Sequence, residues 1–344
     1  MVVGKDSMIE STSKKSARIS YGIMAILLIV VGWFHVGTLV LAAMFGYFAL
    51  EKFSFGRSKT LAVILYLIAV ISIGYGLFHF SRLAYDALPK IAADTIPAVV
   101  GYAERTGLEL PFTDYASLKA VAMNEFKEQF GQIGRYAGVA FVQLAMLIIG
   151  LVIALSLFLN SRWEVDDDPE AIKNNLYSTV VGELILRFRN FYHSFGMVIG
   201  AQIIISIFNT VFTCIFLLWN GFPYVLVIMV LTFLCGLLPI VGNILSNTLI
   251  IGVGFTISPK VALMALIFLI VIHKLEYFLN SKIIGDRIKN PMWLTLIGIV
   301  LGEKLMGIPG MILAPVVLHY IKLEASRNKF SDTTGPQLQS LENK

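Results

Sequence analysis

Long apolar runs without charged residues alternate with short polar stretches along this chain. Residues 19–50, 60–81, 136–161 and 190–259 contain no Asp, Glu, Lys or Arg. A helix needs about 20 apolar residues to cross a bilayer. At about 1.5 Å per residue, the last of these runs is long enough for about three crossings or partial crossings. The pattern predicts an all-α, polytopic integral membrane protein with about eight helical segments.

The apolar runs differ in whether polar or helix-breaking residues interrupt them. Uninterrupted runs predict full spans at 60–85, 136–161, 193–219 and 260–281. Interrupted runs predict pairs of short helices at 19–50, 223–257 and 291–324. For the first pair, with His35 between Gly32 and Gly37, the alternative is one long tilted helix with glycine kinks.

One substantial polar segment separates these apolar runs. Within it, Phe126, Phe130 and Ile133 recur at helical spacing, which predicts amphipathic helices outside the hydrocarbon. The predicted organisation is a cytoplasmic tail at 1–18, membrane helices at 19–85, extracytoplasmic amphipathic helices at 86–135, a membrane transport core at 136–325 that contains the hairpins 223–257 and 291–324, and a disordered cytoplasmic tail at 326–344.

Composition and charge support this class and orient the chain. Only 14% of the residues are charged, against about 25% in ordinary soluble domains. The formal charge of +5 comes from basic residues beside the apolar spans, as at Lys14, Lys15 and Arg18, so we expect no nucleic-acid partner. By the positive-inside rule, both termini are predicted to be cytoplasmic. The hairpins 223–257 and 291–324 would then enter the membrane from opposite sides.

The breaks in these two hairpins are the first candidates for a transport pathway. One break contains Pro239, Gly242 and Asn243, and the other contains Gly307, Pro309 and Gly310. Backbone groups freed inside a bilayer need protein or water partners, so paired interrupted helices point to a binding site. The alternative is an extramembrane turn that joins two ordinary spans.

Charged residues near the breaks are the second set of candidates. Glu303 and Lys304 lie at the second break, where an acid usually faces a cavity or a partner. They could instead neutralise each other, or Lys304 could reach outward to the interface. His273 and Glu276 share a helix face, which suits a proton relay, although interfacial anchoring would explain them equally well. The candidate pathway residues are Pro239, Gly242, Asn243, Glu276, Glu303, Lys304, Gly307, Pro309 and Gly310.

Motifs for enzymatic chemistry are missing from the sequence. It contains no nucleophile elbow, no His-Glu-x-x-His and no phosphate-binding Gly-Lys-Ser/Thr loop. We therefore expect no enzyme, no cofactor and no metal site. The missing phosphate-binding loop also disfavours a self-contained ATP-driven pump.

Several C-terminal motifs resemble those of the AI-2E (autoinducer-2 exporter) family. They are Leu-Pro-Ile-Val-Gly at 238–242, Leu-Glu at 275–276, Lys-Ile-Ile-Gly at 282–285, Pro291, and the stretch from Gly302 to Ala314-Pro315. The resemblance extends over about 19–325. It implies a multi-pass protein of the bacterial inner membrane that forms homo-oligomers. The family includes exporters of autoinducer-2 and members assigned as sodium(lithium)/proton antiporters.

Three functions follow as hypotheses. The first is a secondary transporter that exports a small polar solute similar to autoinducer-2. The second is a cation/proton antiporter in which Glu303 or Glu276 titrates. The third is a membrane scaffold that transports nothing and binds its partner through 82–135.

Overall fold

The computed structural model describes ten helices and no strands over residues 3–55, 58–107, 120, 123–124, 128, 137–160, 176–239, 241–284 and 291–327. The helices are α1 (Val3–Trp33), α2 (Gly37–Phe53), α3 (Lys59–Thr106), α4 (Ala137–Leu159), α5 (Leu176–Trp219), α6 (Val225–Gly236), α7 (Val241–Ile257), α8 (Pro259–Ile284), α9 (Met292–Met306) and α10 (Ile308–Arg327). Within these residues, five helices are long and apolar enough to cross a membrane. The predicted all-α polytopic membrane architecture is confirmed.

All three interrupted runs are helix pairs in the structure. The first pair separates at 34–36, where His35 has a positive φ of 54°, so the single tilted helix is wrong. The second pair separates between Gly236 and Val241, and the third at Gly307, with a φ of 65°. Glycine tolerates this left-handed conformation without steric cost, which explains why α9 ends there.

Helices α3 and α5 are longer than the sequence predicts. Helix α3 continues through Pro89 and Pro97 to Thr106, so a helix end near residue 85 is wrong. Its 48 residues span about 72 Å. Helix α5 likewise begins at Leu176 and includes the mixed-charge segment before residue 193. Residues 108–119 and most of 121–136 lie outside the described part of the chain. The amphipathic helix predicted around Phe126, Phe130 and Ile133 falls in this region.

The two long helices connect two groups of packed helices. In the first group, α2 packs on α4 and on the start of α3, while α1 and α10 pack on the first half of α5. In the second group, α6, α7 and α8 pack on the second half of α5 and on the later turns of α3, around Leu217, Ile228 and Ile250. Apolar side chains point outward from both groups, as a lipid environment requires.

Helices α9 and α10 form a tightly crossed hairpin. A Cβ atom on Gly302 would overlap the backbone oxygen of Gly310, and one on Gly310 would overlap that of Gly302. Only glycine allows the two backbones to approach this closely. The tip of the hairpin packs beside the α1–α2 break, where Gly37 lies against Met306 and Pro309. The third helix pair therefore meets the first pair at its tip.

Candidate functional site

Polar side chains follow one face of α5 inside its charge-free run. Gln202, Ser206, Asn209 and Thr213 are spaced by four, three and four residues, so they lie on one side of the helix. Ser206, Asn209 and Thr213 are buried. This polar stripe faces α6, α7 and α8, and it forms one wall of the site.

The N-terminal end of the stripe, at Gln202 and Ser206, donates hydrogen bonds to carbonyl groups at the end of α6, next to the α6–α7 break. The Gln202 side-chain amide donates to the carbonyl oxygen of Gly236, and the Ser206 hydroxyl donates to that of Phe233 at 2.7 Å. Across the break, the amide of Gly242 donates to the carbonyl of Leu238 at 3.2 Å. Side-chain donors therefore satisfy carbonyl groups at the end of α6 that the helix itself leaves without partners.

Gly242 allows the two halves of this hairpin to meet. A Cβ atom there would overlap the carbonyl oxygen of Cys235, near the end of α6. The first turn of α7 can thus lie directly against the last turn of α6. This contact positions the next residue, Asn243, toward α8.

Asn243 and Glu276 are the two predicted residues that the structure brings together. The Asn243 Nδ2 atom donates to both carboxylate oxygens of Glu276, at 3.0 Å and 2.8 Å. Asn209 Nδ2, from the polar stripe, donates to Oε2 of the same carboxylate at 3.4 Å. Three helices therefore converge on one acid.

Glu276 is shielded from the exterior, and no Lys or Arg among the described residues pairs with it. Its side chain is 15% exposed, and its one ion-pair partner among the described residues is His273, whose Nδ1 lies 3.6 Å from Oε2. His273 itself is 65% exposed. Amide donors stabilise a carboxylate without cancelling its charge, so the site favours a guest that is cationic or rich in hydrogen-bond donors.

A pocket opens beside this carboxylate. The empty space among its lining residues is about 340 Å³, a figure that includes open exterior, and the enclosed part has room for about one water molecule. The lining comes from α5, α6, α7 and α8 and is mostly amide, hydroxyl and carboxylate groups: Asn209, Thr213, Thr232, Asn243, Ser246, Asn247, His273 and Glu276, with Ile250, Leu269 and Ile272. A water molecule, a small cation or one polar group of a larger solute could therefore reach the carboxylate.

The residues at the second predicted break lie apart from this pocket. Lys304 Nζ is 3.4 Å from Glu303 Oε2, and these side chains are 76% and 48% exposed. Gly307, Pro309 and Gly310 form the tip and crossing of the α9–α10 hairpin beside α1 and α2. None of these residues lines the pocket. Pro239 lies in the turn between α6 and α7. Gly242 lies at the start of α7, against the backbone of Cys235, and precedes the pocket residue Asn243.

Sequence reasoning missed the α5 wall and several hydroxyl-bearing residues. Asn209, Thr213, Thr232 and Ser246 all line the pocket without being among the predicted residues. The available signal was the polar stripe in α5, because four polar residues at helical spacing inside an uncharged span indicate a protein-facing or water-facing surface.

The fold and the site together define a class. The described residues contain five helices long and apolar enough to span a membrane, a broken hairpin with backbone groups bound by side chains, and a polar pocket around a shielded carboxylate. These are features of a membrane transport protein.

The family comparison makes this class specific. The model of the AI-2E family transporter matches residues 19–324, and the chain belongs to that family. The match includes the whole pocket and both hairpins, and it confirms the resemblance seen in the C-terminal motifs.

Two relatives from Bacillus subtilis (strain 168) support the assignment. The chain is 24% identical over 214 residues to "Putative transport protein YdbI", covering 61% of each chain. It is 33% identical over 123 residues to "Putative transport protein YueF", covering 35% of this chain and 33% of that one. The aligned regions span less than two thirds of either relative's length.

Proposed function

We propose that this membrane transporter exports a small polar solute, similar to autoinducer-2, across the bacterial inner membrane through the α5–α8 pocket. The observation that carries the proposal is the Glu276 carboxylate, held by two asparagine amides at the wall of an open polar pocket. A hydroxyl-rich solute would exchange hydrogen bonds with this carboxylate, the amides and the threonine hydroxyls. Family membership supports transport, and the cargo is part of the proposal.

The proposed orientation of the chain in the membrane rests on the charge distribution. Basic residues flank the ends of the spans on the side of both termini, which favours a cytoplasmic location for the tails. In that orientation the α6–α7 hairpin enters from the outside, and the α9–α10 hairpin enters from the inside. The family resemblance also implies a homo-oligomer, which stays a prediction.

Roles for the proposed pathway residues follow from their places. Asn243 and Glu276 would contact the cargo, whereas Pro239 and Gly242 would shape the break that presents Asn243. Gly307, Pro309 and Gly310 would form the second hairpin and its tip. Glu303 and Lys304 would contribute only if the cargo also passes that tip.

A sodium(lithium)/proton antiporter is the second candidate, and one observation favours it. Among the described residues, Glu276 forms no ion pair with Lys or Arg. An acid without a permanent counterion at membrane depth can alternate between binding a proton and binding a cation. In this version Glu276, rather than Glu303, is the titrating group.

The experiment uses the purified full chain in sealed liposomes. One sample is loaded with autoinducer-2, and its release is followed with and without NaCl. A second sample carries an imposed proton gradient, and its collapse after NaCl addition is followed with a pH-sensitive dye. Protein-free liposomes are the control.

The outcomes separate the candidates. Release of autoinducer-2 without sodium dependence supports solute export. Collapse of the proton gradient on sodium addition, without solute release, supports antiport. If neither flux exceeds that of protein-free liposomes, both transport proposals fail and the membrane scaffold is favoured.

A further inference from the structure

A buried ion network joins three helices at the end of the protein away from the pocket. Glu324 of α10 accepts a hydrogen bond from the Tyr21 hydroxyl of α1 at 2.9 Å. It also accepts one from Asn190 Nδ2 of α5 at 2.7 Å, and it lies 3.2 Å from an Arg187 guanidinium nitrogen. We call these four residues, Tyr21, Arg187, Asn190 and Glu324, the terminal network.

Arg187 is shared within this network and is not fully satisfied. It pairs with Glu183 at 2.8 Å as well as with Glu324, and its guanidinium lies 4.1 Å from the centre of the Tyr21 ring. The Arg187 and Glu324 side chains are 8% and 7% exposed. Yet Arg187 Nε and the neighbouring Tyr320 hydroxyl are buried without a hydrogen-bond partner among the described residues.

A buried ion network of this kind contributes little net stability to a permanent helix contact. Burying charges costs desolvation energy, and well-packed apolar residues of similar volume often hold an interface as firmly or more firmly. A partly satisfied network is weaker still, because its unpaired groups lose their water without gaining a partner. Charged groups that regain water on separation suit a contact that opens and closes.

The element that this contact holds is rigid. Backbone contact at Gly302 and Gly310 locks α9 onto α10, so movement at the base of α10 carries the whole hairpin. The tip of that hairpin rests beside the α1–α2 break at Gly37. The chain is broken on both partners of this contact, at 34–36 between α1 and α2 and at Gly307 between α9 and α10. The hairpin can therefore pivot there without bending a continuous helix.

Helix α5 connects the network to the pocket. Its first half carries Arg187 and Asn190, and its second half carries Asn209 and Thr213. A helix transmits a shift along its axis because its backbone is continuously hydrogen bonded. When α10 separates from the first half of α5, that half of the helix can shift. The shift would move Asn209 and Thr213, which line the pocket from the second half.

We propose that the terminal network is a reversible latch, which holds the α9–α10 hairpin against α1 and α5 and opens during the transport cycle. Its purpose rests on the proposed transport function. Opening itself can be measured without any cargo, so the two proposals can fail separately.

The test reports on the exposure of a buried α5 residue near the terminal network. Ser194 lies two helical turns from Arg187 and is fully buried. In a full chain with Cys214→Ser and Cys235→Ser, Ser194→Cys places one thiol there. A water-soluble maleimide then labels the detergent-solubilised protein, and the labelling rate measures opening.

The latch predicts opposite effects for two kinds of substitution. Glu324→Gln removes the charge that Arg187 faces and should speed labelling about tenfold or more, since hydrogen bonds to charged groups are the strong ones. Replacing all four residues together (Tyr21→Phe, Arg187→Met, Asn190→Leu and Glu324→Met) leaves apolar contacts in place of the network and should slow labelling below that of the parent. Glu104→Gln removes an exposed acid on α3 and is the matched control, with no change expected.

Two results would overturn the latch. One is an unchanged rate in Glu324→Gln, and the other is a variant with all four residues made apolar that labels as fast as Glu324→Gln, as a purely structural network would give. Gel filtration checks that each variant is folded. If Glu324→Gln aggregates, Tyr21→Phe decides in its place, because it removes one hydrogen bond to Glu324, retains the ring beneath Arg187 and should still speed labelling severalfold.

Discussion

Replacing Asn243 with alanine tests the central contact of the pocket. The substitution removes both hydrogen bonds to the Glu276 carboxylate, at 3.0 Å and 2.8 Å, and leaves the weaker bond from Asn209. A hydrogen bond to a charged group is worth about 1.5–3 kcal/mol, and about 1.4 kcal/mol corresponds to tenfold in an equilibrium constant. Because Asn243 is proposed to contact the cargo and to orient the Glu276 carboxylate toward it, losing about one charged hydrogen bond to the cargo should raise half-saturation about tenfold to a hundredfold.

The assay is liposome flux with whichever probe the wild-type chain transports, measured over a range of probe concentrations. Thr248→Ala is the matched control, because its exposed hydroxyl donates to the carbonyl of Ile244 in the same helix and Thr248 does not line the pocket. Thermal unfolding of both variants confirms that they are folded. A folded Asn243→Ala variant with wild-type half-saturation and maximal flux would refute the reasoning.

Two glycine predictions test the helix crossings that position the site. Gly302→Ala places a Cβ atom against the backbone oxygen of Gly310 and should destabilise the protein by about 1–3 kcal/mol in thermal unfolding. Gly200→Ala is the control, because Gly200 has open space around it. Equal stability of the two variants would contradict the close crossing of α9 and α10. Gly242→Ala forces α7 away from Cys235 at a similar cost of about 1–3 kcal/mol, and it should lower flux by displacing Asn243; unaltered flux would show that this contact does not position the pocket.

The sequence predicts the helices and breaks well because both are local properties. Charge-free runs of fixed length specify spans, and glycine, proline or His35 in a run specifies where a helix ends. Helix α3 is the exception, since Pro89 and Pro97 predict interruption. There the helix continues, with Ile91 buried against α6–α8 and Gly252 lying against Thr95, so tertiary packing outweighs the cost of two prolines.

The site was only partly predictable because it depends on which breaks meet. Asn243 and Glu276 were predicted separately, from a break and from a charged position, and their contact spans two helices. Nothing local indicates that the tip near Pro309 packs beside Gly37 rather than beside the α6–α7 break. Tertiary packing decides that, and it separates Glu303 from the pocket.

The most direct test of the account compares the two acids in one flux assay. Glu276→Gln retains the size of the side chain and removes the charge that the asparagine amides bind, whereas Glu303→Gln does the same to an exposed acid beside Lys304. The account predicts that Glu276→Gln abolishes flux of the transported probe and that Glu303→Gln retains most of it. Loss of flux in Glu303→Gln with normal flux in Glu276→Gln would contradict a pathway through the α5–α8 pocket.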